Sequence, residues 1–251
     1  WDCPRYAQLR KPYEKAIDEK MRQAKIKDKT TYLQCKKILD SPCFQQCGIC
    51  CGDPQALKLT YAIDEHDFYK NVVNESDIYK GDSAAKQQEI NGIQYLKTYT
   101  DGSAINGRYR ELSRAGWGVH YADGSKHNIS SMLHGPVQTS YRAEVRALLH
   151  VVQTSATPTL IMIDCKSVAN TFNNYVKYKD KGGKKLQEKD LWEAIFELTD
   201  GAPDHHFAAR WMPSHLNEPK NKEKKDRALK EGLVLEEDII GNDAADKLAG
   251  D

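Results

Sequence analysis

No apolar run in this 251-residue chain approaches the roughly 18–20 residues that a bilayer-spanning helix needs. A helical membrane span is thereby excluded, and no membrane partner is expected. Charge of one sign is also missing. Thirty-seven Lys and Arg stand against 36 Asp and Glu, a net charge of +1, so composition by itself does not point to a polyanionic partner. A Gly-rich phosphate cradle is absent, which argues against a mononucleotide-binding α/β enzyme. The chain opens Trp1-Asp2-Cys3-Pro4 with neither an initiator Met nor a basic-then-apolar leader, as expected of a piece of something longer. Seven cysteines, an odd number without regular spacing, favour reduced thiols and hence the nucleus or cytoplasm. In that setting the sequons at Asn74 and Asn128 are chance matches. Hydrophobic residues at 39% nevertheless suffice for a core, and the length fits one large domain or two small ones.

The text changes character near residue 90. Residues 1–30 are rich in Lys, Arg and Glu, with weak helical periodicity at Ala16, Ile17, Met21 and Ala24. Cys35, Cys43, Cys47, Cys50 and Cys51 follow. Cys47 and Cys50 alone have the two-residue spacing of a zinc knuckle, and no second pair follows. Two readings stand here: a metal site, completed by residues such as Cys3 or His66, or a cysteine-rich interaction segment. Residues 1–90 are therefore read as a mostly helical, cysteine-containing segment of unknown role.

Downstream, Ile93 to Thr100 is aromatic and β-branched and reads as a strand. Alternating Trp117, Val119 and Tyr121 give a second, and Asp123-Gly124 is a hairpin turn before a third over 126–137. Residues 140–154 read as a helix with Ala143, Ala147, Leu148, Val151 and Val152 on its apolar side. The continuous run Thr159 to Ile163 reads as a strand buried on both faces. Helices are expected at 165–178 and 187–199, a strand at 206–212 and a last Ala-rich helix at 242–250. Hairpin strands followed by alternating helix and strand indicate an α/β fold with a mixed sheet.

Four acidic residues fall where such a layout makes carboxylates costly. Asp101 ends the first strand, and Asp164 ends the most apolar one. Glu144 shares a helical face with Leu148 and Val151. Asp246 lies among alanines on the last helix. Each has a duller reading: a turn residue, a solvated helix position, a helix cap, a partner of Lys247. Together they are grouped carboxylates that repel one another unless a hard divalent cation holds them. Two such ions can activate a water and stabilise the leaving oxygen of a phosphodiester.

Thr100-Asp101-Gly102-Ser103, Arg142-Ala143-Glu144, Ile163-Asp164, Asp190-Leu191-Trp192, Trp211 with His215, and Gly241-Asn242-Asp243-Ala244-Ala245-Asp246-Lys247-Leu248-Ala249 together resemble the ribonuclease H family of type 1. The resemblance covers residues 91–251. It implies a ribonuclease H-like five-stranded mixed sheet flanked by helices, two Mg²⁺ ions with Mn²⁺ as a substitute, and endonucleolytic cleavage of RNA paired with DNA. The metal ligands it implies are Asp101, Glu144, Asp164 and Asp246, with Asp243 the rival one turn away. His215 matches the family's loop histidine, suited to proton transfer or product release. Substrate contacts are implied at Gly102, Ser103, Thr139, Ser140 and Arg142, with Thr139 the best candidate for a phosphate.

Departures are Cys165, where a Ser is usual, Tyr141 before Arg142, and a stretch from Leu216 to Ile240 that reads as a long loop. Its Lys220 to Lys225 run, like the lysines at 177–185, is either a phosphate-backbone contact or a solvated face. Trp1 to Tyr6 resembles the end of a knuckle found downstream of reverse transcriptase in non-LTR retrotransposons. That origin adds a reverse transcriptase domain in the same polyprotein to the RNA–DNA hybrid that the family resemblance implies; the alternative is a host gene with an unrelated N-terminal extension. The competing class is a binding module of the same fold with weak or lost catalysis.

Overall fold

A computed structural model of the protein describes Val73 and residues 75–105, 107, 113–135, 137–180 and 186–250. The helical periodicity of residues 1–30, the five clustered cysteines, His66, the Asn74 sequon and Lys181, Lys184 and Lys185 lie outside the described residues. The strands are β1 (Gln87–Ile90), β2 (Ile93–Ile105), β3 (Arg114–His120), β4 (Ile129–Met132), β5 (Thr159–Ile163) and β6 (Phe207–Trp211). The helices are α1 (Ser140–Thr154), α2 (Lys166–Asn173), α3 (Tyr175–Asp180), α4 (Lys189–Gly201), α5 (Lys222–Lys230) and α6 (Glu236–Gly250).

The sheet runs β4-β3-β2-β5-β6, with β1 as a sixth strand paired to the start of β2. Pairing is antiparallel on the β1, β3 and β4 side and parallel for β2–β5 and β5–β6. Hairpins explain the first set and helical crossovers the second. Every residue of β5 is buried, because its two faces feed two cores. Ile161 and Ile163 join Val119, Leu148, Trp192 and Phe196 under α1 and α4. Leu160 and Met162 join Tyr99, Met212, Ala228, Ile239 and Ala245 under α5 and α6. Three layers result, and α1 and β5 have the bounds that periodicity predicts.

Five elements differ from the sequence expectation. β2 runs on to Ile105, so Asp101 lies within the strand and not at its end. Asn91 and Gly92 both have positive φ, 53° and 81°, a primed two-residue turn that folds β1 back on β2. The strand expected over 126–137 shrinks to β4. Before it, the Asn128 side chain is committed to the turn, accepting from Tyr121 N at 2.8 Å and donating to Ala122 O at 2.7 Å. After it, Gln138 replaces the ladder by accepting from Ala115 N and donating to Leu133 O, both at 2.8 Å. The helix expected over 165–178 breaks at Asn174, whose amide donates to Asn170 O at 2.8 Å and competes with the helical pattern. Most consequential, the expected loop 216–240 contains α5, and the last helix starts six residues early. Asp238 in its first turn accepts from Leu235 N at 2.8 Å, satisfying a donor that otherwise has no helical partner. The buried Ala228, Val234 and Ile239 hold this segment on the sheet.

Candidate metal centre

Close packing between β2 and the start of α1 builds the site. Thr139 caps α1, its Oγ1 accepting from Arg142 N at 3.1 Å. With the helix starting there, Glu144 falls in the second turn facing the sheet, and it is only 6% exposed. Gly102 allows the approach. A Cβ at that position would lie 2.2 Å from Glu144 N and 2.6 Å from Ala143 C. Asp101, adjacent in the strand, is buried. Asp164 follows the last residue of β5 and is half-buried, its backbone carbonyl accepting from Trp211 Nε1 at 3.0 Å.

One carboxylate oxygen from each of Asp101, Glu144 and Asp164 lies within 4.8 Å of the others. Burial, and then the charges of Asp164 and Asp246, push the Asp101 carboxyl up to about 7. Burial raises Glu144 well above the usual range, with Asp101 and Asp164 adding to it. Asp164 is raised as well, chiefly by burial, while a bond from the Asn242 side chain works in the opposite direction. Desolvation therefore leads, and mutual repulsion comes second. Glu144 Oε2 is buried without a hydrogen-bond partner among the described residues. Three converging hard oxygens with one lacking a partner fit a divalent cation of the Mg²⁺ or Mn²⁺ type.

The other expected residues separate into groups. Asp246 is half-buried on α6 and outside the three-oxygen cluster, yet near enough for its charge to raise both Asp101 and Asp164. Its rival Asp243 takes Lys247 as a partner at 2.7 Å. His215 has φ +55° and an exposed side chain 3.9 Å from Glu218. With Leu216, Glu218, Asn242, Asp243 and Asp246 it lines a cleft beside the carboxylates. Thr139 and Ser140 are exposed at the start of α1. Ser103 Oγ donates to Ala249 O of α6 at 2.6 Å.

Arg142, expected on the substrate, is 3% exposed and instead holds Glu188 and Asp190. Its bidentate geometry ties α1 to α4, and this is the place of Asp190 in the Asp190-Leu191-Trp192 motif. The residue given no role from sequence is Asn242. It is 5% exposed, and its side chain reaches Asp164. The available signal was its spacing of four from Asp246, which puts both on one helix face.

A family model described as RNase H matches residues 94–234. This chain belongs to the RNase H family. The match takes in Asp101, Glu144, Asp164 and His215 and stops short of Asp246, whose placement rests on α6. Among solved structures, the prototype foamy virus RNase H domain is 25% identical with a TM-score of 0.45, covering 61% of this chain and 91% of that one. The prototype foamy virus protease-reverse transcriptase is 22% identical with a TM-score of 0.44, covering 61% of this chain, which spans 20% of its length. RNase H1 from the halophilic archaeon Halobacterium salinarum is 16% identical with a TM-score of 0.36, covering 61% and 93%. No curated protein matches. Membership of the RNase H family implies a hydrolase acting on RNA–DNA hybrids.

Proposed function

We propose that this chain is an Mg²⁺-dependent endonuclease that cuts the RNA strand of RNA–DNA hybrids by a two-metal mechanism, with Mn²⁺ able to substitute. The observation that carries it is the convergence of Asp101, Glu144 and Asp164, with Glu144 Oε2 lacking a hydrogen-bond partner among the described residues. These three, joined by Asp246 from α6, would hold the metal. Bound there, a divalent cation lowers the pKa of an attacking water and stabilises the leaving oxygen. His215 stands at the rim, suited to take a proton or escort the product. Thr139 and Ser140, both exposed, are the residues that would meet a phosphate of the hybrid, and 2′-hydroxyl contacts would separate RNA from DNA. A reverse transcriptase domain in the same polyprotein, residues 1–90 as a separate segment, and a nuclear or cytoplasmic site of action complete the proposal.

A labelled hybrid incubated with the protein and Mg²⁺ tests it. The expected products are RNA fragments with 3′-hydroxyl and 5′-phosphate ends, with the DNA strand intact. Asp164→Asn is expected to lower kcat at least a hundredfold. Absence of cleavage with both Mg²⁺ and Mn²⁺ would leave a hybrid-binding module as the surviving account.

A further inference from the structure

Helix α6 carries Asp246, and something must fix how far along β2 that helix sits. Lys97 is wholly buried, a costly place for an ammonium group. Its Nζ lies 2.8 Å from Asp238 Oδ1 and 2.7 Å from Glu237 Oε1, both in the first turn of α6. Tyr99 OH donates to the same Asp238 oxygen at 3.0 Å. Further on, a Cβ at Gly241 would meet the Tyr99 ring at 2.3 Å. The far end closes with the Ser103 Oγ bond to Ala249 O. Lys97, Tyr99, Asp101 and Ser103 alternate along one face of β2, and the helix residues facing them advance in the same direction.

The two spacings agree. Four strand residues from Lys97 to Asp101 cover about 13 Å at roughly 3.3 Å each. Eight helix residues from Asp238 to Asp246 cover about 12 Å at roughly 1.5 Å each. A helix pinned at Asp238 therefore brings Asp246 level with Asp101, and a slip of one turn, about 5.4 Å, removes it. We infer that Lys97 is a positioning residue: its buried ion pair with Asp238 sets the register of α6 on β2 and so delivers Asp246 to the metal centre. This rests on the metal-dependent reading only for its catalytic consequence.

The test uses Lys97→Met, compared with Phe196→Leu, a core substitution on α4 chosen for a similar loss of thermal stability. Both are studied well below their unfolding temperatures. Gly118 lies under α6, and a Cβ there would sit 2.7 Å from Leu248 Cβ, so nuclear Overhauser contacts between Gly118 Hα and Leu248 report the register without metal or substrate. Lys97→Met is expected to lose them while keeping a native fold, to bind Mn²⁺ at least tenfold more weakly by calorimetry, and to lose kcat with KM for the hybrid within twofold. Phe196→Leu is expected to keep the native fold, the contacts, the Mn²⁺ affinity, kcat and KM. Retained contacts in folded Lys97→Met would overturn the inference. If that variant does not fold, Asp238→Asn, which removes the charge facing Lys97 at nearly unchanged volume, carries the same measurements with the same deciding outcomes. A wild-type protein that shows the contacts but binds no Mn²⁺ would overturn the metal reading and leave the register to be judged by the contacts.

Discussion

Asp101 in water would release its proton near 3.8, and in the fold it does so near 7. Between those values the native state holds a proton that the unfolded chain has given up, so stability falls as pH rises through that window. At roughly 1.4 kcal/mol per unit, the full span is worth on the order of 4 kcal/mol. Asp101→Asn removes the group that titrates. The metal-free variant is expected to unfold at a higher temperature than wild type at pH 8 and at nearly the same temperature at pH 4, as thermal denaturation followed by circular dichroism would show. Equal pH dependence in the two proteins would mean that Asp101 is not the strained group.

Among the elements, α1 depends on a strand residue for its position. Gly102→Ala inserts a methyl against the backbone of Ala143 and Glu144, atoms that no rotamer change can move aside. The helix must lift, at a cost of about 1–3 kcal/mol typical of overpacking, and Glu144 leaves the cluster. Thermal unfolding is expected to report that cost, while calorimetry shows Mn²⁺ affinity reduced at least tenfold. Unaltered affinity would mean that Glu144 is not held by this contact. The same elements show what a sequence displays and what it conceals. β5 and α1 were legible with correct bounds because each buries a continuous run or a regular stripe of apolar residues. Glu144 and Asp164 were legible because one faces and the other ends an apolar element, and Asp101 because it follows the aromatic and β-branched start of β2. β1 was missed although Asn91-Gly92 is a strong hairpin signal, because its four residues alternate only weakly. α5 was missed because a single buried residue, Ala228, marks its inner face. Nothing local announces the partners of Arg142, which lie 46 and 48 residues away.

For the molecule as a whole, bound metal and folding are linked. A cation that binds only the native state stabilises it by an amount that grows with its concentration, about 2.7 kcal/mol at a hundred times Kd. The carboxylates must be ionised to bind it; burial raises all three, Asp101 to about 7. Mg²⁺ is therefore expected to raise the melting temperature by several degrees at pH 8 and very little at pH 5.5. In Glu144→Gln it is expected to do so at neither. A shift of equal size at both pH values would show the cation binding elsewhere.

The chain supplies its carboxylates in the order β2, α1, β5 and α6, with the last arriving from the final helix. At typical synthesis rates the roughly 80 residues between Asp164 and Asp246 take about 4–16 s to emerge. Through that interval a nascent chain has the strands and helix that gather three carboxylates, but lacks the fourth and the helix that covers Tyr99 and Met162. Under the proposed function, cutting an RNA would wait for α6 to dock, the same event that seals the second core.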